Sequence, residues 1–80
     1  MSYTEQSVEN SLTSYLDAVL KEDRETVFVP RELFKVATFF VSDQDLAAWM
    51  IDNLPDLPTK VVKLTTRELK AIVDDLSPVI

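Results

Sequence analysis

Residues 26–33, Thr-Val-Phe-Val-Pro-Arg-Glu-Leu, and residues 61–69, Val-Val-Lys-Leu-Thr-Thr-Arg-Glu-Leu, read alike. Each opens on β-branched, aromatic or aliphatic residues that favour extended backbone. Each then reaches a helix start and closes on Arg-Glu-Leu. Pro30 keeps Val29 out of the helical region and itself suits the first position of a helix. Thr65 and Glu68 have the spacing of a capping box. Arg31 and Arg67 lie 36 positions apart. Three identities are a thin basis for a duplication, so the geometric reading is the more useful one: 27–29 and 61–64 can pair as a short two-stranded β-ribbon. Such a ribbon is marginal in water and requires helices against one face.

The flanking sequence supplies those helices. Val8, Leu12, Tyr15, Leu16, Val19 and Leu20 recur at helical spacing and predict a first helix over 4–21 with one buried side. Ser2 with Glu5, and Thr4 with Ser7, are its alternative capping pairs. A second helix is expected over 30–41, with Leu33, Val36, Ala37 and Phe40 inward and Phe34 and Val41 widening the stripe. Val36 to Val41 also has the composition of a strand. Ser42, followed by Asp45, signals the start of a third helix over 43–54. Leu46, Trp49, Met50 and Leu54 are its apolar positions, and Pro55 ends it. Leu69, Ile72, Val73 and Leu76 give a fourth helix, 66–76, its buried face, and Ser77-Pro78 stops it. The expected fold is therefore all-α or nearly so: one small domain, a bundle of about four helices, with the ribbon as its single β feature.

Composition narrows function more by exclusion than by signature. The 80 residues fit one domain with one core, of modest stability at about 3–5 kcal/mol. Glycine, cysteine and histidine are all absent. Without cysteine there are no disulfides, thiolate metal sites or thiol nucleophiles. Without histidine the commonest general base and metal ligand is missing. Without glycine there is neither a phosphate-binding loop nor a dinucleotide-binding turn. No motif assembles the remaining Ser, Lys and carboxylate groups, so no catalytic residue, metal site or cofactor is expected and the chain does not read as an enzyme. The opening segment is polar and acidic, and the longest apolar-rich run, 36–41, is too short for a bilayer, so a cytoplasmic location without membrane contact is expected.

What remains is binding. The net charge is −6, from 14 acidic and 8 basic residues, which disfavours nucleic acid and anionic membranes. Asp43, Asp45, Asp52 and Asp56 fall in a stretch without Lys or Arg. They suit an anionic face for a basic partner, or simply a helix start and solvated surface; the calcium-loop pattern, which needs a glycine turn, is missing. The third helix is apolar most of the way round, with Ala47, Ala48 and Ile51 beside Trp49 and Met50, which implies a central position or a partner. Asp45, Trp49, Met50 and Asp52, with Phe39, are accordingly the candidate partner-binding residues. Lys60, Lys63, Arg67 and Lys70 form a basic patch that supports an alternative, a small dimeric nucleic-acid-binding regulator of helix-turn-helix type. A third alternative is a structural subunit of an oligomer, a homodimer included. The leading expectation is a small acidic interaction protein, an inhibitor, adaptor or regulator of a larger protein or assembly. Its size and plain composition suit an accessory protein of a phage or mobile element.

Overall fold

A computed structural model describes residues 3–77. In chain order the elements are α1 (Glu5–Lys21), β1 (Thr26–Pro30), α2 (Arg31–Ala37), α3 (Gln44–Asp52), β2 (Val61–Thr65) and α4 (Thr66–Leu76). The result is a four-helix domain with one two-stranded antiparallel ribbon.

The expected ribbon forms, one residue longer at each end of β1. Val27 lies opposite Leu64, Phe28 opposite Lys63 and Val29 opposite Val62. Side chains alternate as a one-sided ribbon requires. Val29, Val62 and Leu64 are buried and Val27 is half-buried, whereas Thr26, Phe28, Val61, Lys63 and Thr65 are exposed. The inner face joins Val8, Leu12, Leu16 and Val19 of α1, Leu33, Phe34 and Ala37 of α2, Met50 of α3 and Leu69, Ile72, Val73 and Leu76 of α4 in a single core. No polar or charged side chain is buried among the described residues.

Each strand runs directly into a helix, and the ribbon has a local pseudo-twofold axis. Arg31 N–H donates to Lys60 O at 2.8 Å, and Thr66 N–H donates to Glu25 O at 2.9 Å. These two bonds close opposite ends of the ladder and are related by the same operation that exchanges Phe28 with Lys63, that is, residue i with i + 35. The repeated Arg-Glu-Leu is offset by one further residue. The strand ends are structurally equivalent, while the likeness of the two helix starts is out of register with them.

Local chemistry explains the helix boundaries. Ser2 lies outside the described residues; Thr4 and Ser7 form the capping box of α1, with Ser7 N–H donating to Thr4 Oγ1 at 3.1 Å and Thr4 N–H donating to Ser7 Oγ at 2.9 Å. Leu20, expected in the buried stripe, is exposed, because at 3.6 residues per turn it has rotated off the row that keeps Val8, Leu12 and Val19 buried. The second helix is shorter than expected and stops at Ala37. There the backbone tightens: Phe39 N–H bonds Val36 O and Phe40 N–H bonds Ala37 O, both at 3.0 Å. Thr38, Phe39, Phe40 and Val41 lose rotamer freedom in a helix, so their propensity does not oppose the break. Asp43, not Ser42, caps α3: its Oδ1 accepts from Asp45 N–H at 2.9 Å and Leu46 N–H at 3.1 Å. Ser42 instead donates its backbone N–H to Asp75 Oδ1 at 2.7 Å, and Asp43 N–H reaches Asp75 Oδ2 at 3.0 Å. One carboxylate on α4 thus holds the entry to α3. Thr65 and Glu68 form the capping box of α4 as expected.

Candidate protein-binding surface

Helix α3 packs through a narrow part of its circumference. The helix ends at Asp52, two residues earlier than expected, so Leu54 lies beyond it; Met50 is fully buried, and Leu46, Trp49 and the trailing Leu54 pack half-buried against the core. Met50 therefore leaves the candidate contact set and belongs to the fold. The outer side carries Asp45, Ala48, Ile51 and Asp52, all exposed, with Ile51 at 59%. Asp45, Trp49 and Asp52 follow at i, i + 4 and i + 7, so the half-buried indole lies along one flank of this surface. Neither Asp45 nor Asp52 is in either of the ion pairs found among the described residues. Phe39, in the turn after α2, is 75% exposed.

The basic residues divide into two groups. Lys70 pairs with Asp74 on the same helix at 2.9 Å. Lys60, Lys63 and Arg67 are exposed and are in neither of those ion pairs. Lys60 and Lys63 flank and occupy β2, while Arg67 lies in the first turn of α4. Strand β2 intervenes between α3 and α4, so those two helices are not joined by the tight turn of a helix-turn-helix.

Three surface grooves are relevant. One, of about 690 Å³, lies between α1 and the end of α4 and carries Glu5, Glu9, Asp74 and Asp75. Its carboxylates do not converge: among the described residues no three metal-ligating side chains form a cluster, and Asp75 is committed to the α3 entry. The second, about 570 Å³, runs along β1 beside Tyr15, Ala18 and Glu22. The third, about 200 Å³, runs along β2 beside Trp49, Asn53 and Pro55.

Tyr3, Phe28, Leu57 and Val61 are exposed apolar residues outside the candidate set. Phe28 is 58% exposed because it alternates with inward Val27 and Val29; that alternation was the available signal. Leu57 is 75% exposed in the linker before β2, where no periodicity exists to mark it. No known protein family, curated protein or solved structure matches this chain.

Proposed function

We propose that this is a protein-binding protein, an inhibitor, adaptor or regulator that docks on a larger protein through the outer side of α3. The observation that carries the reading is the exposed Ile51 between Ala48 and Asp52, on a helix whose core contacts are already made by Met50, Leu46 and Trp49. A helix with apolar residues on both sides has either a central position or a partner. Here α3 is peripheral, which supports the partner. Asp45 and Asp52 give the surface a negative rim, so the partner's rim is basic and long-range attraction assists encounter. Trp49 supplies a rigid aromatic edge of the kind that anchors interfaces. No described helix is long and apolar enough to cross a membrane.

The test is affinity capture from the native host followed by mass spectrometry, using wild type, Ile51→Lys, Asp52→Lys and, as a control on the solvent side of α1, Asp17→Lys. A partner retained by wild type and the control but lost from both α3 variants is the expected result. Each α3 change should cost about 1–2 kcal/mol of binding with the melting temperature nearly unchanged. Identical capture by all four proteins would overturn the assignment of this surface.

A further inference from the structure

The ribbon has two free edges, and they are not equivalent. Arg31 N–H bonds Lys60 O and Thr66 N–H bonds Glu25 O. In an antiparallel ladder the hydrogen-bonded pairs therefore fall at 31/60, 29/62, 27/64 and 25/66. The N–H and C=O groups of the residues between them point away from the partner strand. On β1 that outward edge includes Pro30, which has no N–H, and a proline blunts an edge against further pairing. On β2 the outward groups belong to Val61 and Lys63. Thr65 N–H is already occupied, donating to Glu68 Oε1 at 2.8 Å.

The open edge of β2 faces the groove beside Trp49, Asn53 and Pro55, about 200 Å³ in volume. Its charge is opposite to that of the molecule. Residues 60–70 hold four of the eight cations in a chain of net charge −6. The one acid among them, Glu68, has its carboxylate on the Thr65 N–H. Lys60 and Lys63 are exposed and in neither ion pair of the described residues.

We propose that the β2 edge binds an extended acidic peptide of another protein as a third, antiparallel strand. The N–H and C=O groups of Val61 and Lys63 supply the main-chain pairing, as in other strand-addition complexes. The residue opposite Lys63 on the outer face is acidic and the residue opposite Val61 is apolar, because directly opposed side chains are the unit of sheet stabilisation. The residue between them turns inward, towards the Trp49 side. A second copy of the chain is a poorer occupant: its own β2 edge carries the same lysines, Lys60 and Lys63, and its β1 edge is blunted by Pro30. The site shares Trp49 with the α3 surface but neither Ile51 nor Asp52, so loss of a protein partner through Asp52→Lys and loss of a peptide through Lys63→Glu are separate results.

The experiment is selection from a displayed library of random short peptides against the whole protein, with oligo-dT as a second, non-peptide polyanion. Binding is read from the fluorescence of Trp49, the chain's single tryptophan, and from backbone amide resonances. Selected peptides should alternate Asp or Glu with Val or Ile, and binding should slow hydrogen exchange at Val61 and Lys63. Lys63→Glu should weaken binding about tenfold or more while leaving the melting temperature unchanged. Val61→Pro, which removes an edge donor without touching the β1–β2 ladder, should do the same. The proposal is overturned if no sequence is enriched, if bound peptides leave those two amides unprotected, if Lys63→Glu has no effect, or if oligo-dT protects the same amides and binds more tightly than any selected peptide.

Discussion

Asp23 holds a backbone conformation that glycine usually takes. Its φ of 55° lies in the left-handed region, which costs an L-residue about 1–2 kcal/mol, least for Asn and Asp. The position ends α1: Asp23 N–H bonds Leu20 O at 3.2 Å and Arg24 N–H bonds Val19 O at 3.0 Å. These are the two bonds of a Schellman closure. A chain with no glycine fills the site with the next most tolerant residue type. Asp23→Gly should stabilise the protein by about 0.5–1 kcal/mol, raising the melting temperature by ~2–8 °C in a circular-dichroism melt. Asp75 is the counterpart in side-chain chemistry, one carboxylate accepting two backbone N–H groups at the entry to α3. Asp75→Ala should cost about 1.5–3 kcal/mol in urea unfolding. Asp75→Asn should recover only part of that, since its NH₂ group would face an N–H donor.

At the scale of elements, the helices with local start signals and one-sided stripes were readable from the chain. Helices α1 and α4 begin and end where their capping residues and buried rows place them, because both signals lie within a few residues of each other. Thr65→Ala should therefore cost about 1 kcal/mol, and hydrogen exchange should locate the loss in the first turn of α4. Helix α3 was harder. Its apolar residues surround the axis: spacing puts Leu46, Met50 and Leu54 on one row and Ile51 off it, but leaves Met50 and Trp49 open to core or contact, and tertiary packing makes that choice. Met50→Ala should cost about 2–5 kcal/mol as a core truncation, and Ile51→Ser no more than about 0.5 kcal/mol in the same unfolding assay. The early end of α2 was also hidden, because Val36 to Val41 suits helix or strand and the choice rests on how Phe39 and Phe40 divide between solvent and core.

At the scale of the whole molecule, the ribbon was legible as a pairing of two segments but its register was not. The Arg-Glu-Leu repeat proposes one offset and the hydrogen-bond ladder adopts another, one residue shorter. Register depends on burying Val29, Val62 and Leu64 together, a condition that no local window contains. The binding surfaces were partly legible: the acidic, apolar character of α3 is visible in the chain, but the basic edge of β2 needs the ladder to reveal which backbone groups are left over. The charge separation has a consequence in solution. The peptide contact proposed for β2 should weaken as salt rises, because exposed charge pairs are screened, with a Debye length of about 10 Å at 0.1 M.

The bond from Arg31 N–H to Lys60 O fastens the two ends of a 30-residue excursion that contains α2 and α3. Arg31 fastens it again through its Nε–H to Pro55 O at 2.6 Å. The ribbon cannot zip from a hairpin turn; its strands meet only after that whole circuit has closed, and the entropy of closure is due before any ladder bond repays it. Refolding should therefore be slower than for a helical bundle of this size. The chain spends that interval with β2 unpaired, when its free edge is doubled and its hydrophobic row is open to the wrong strand.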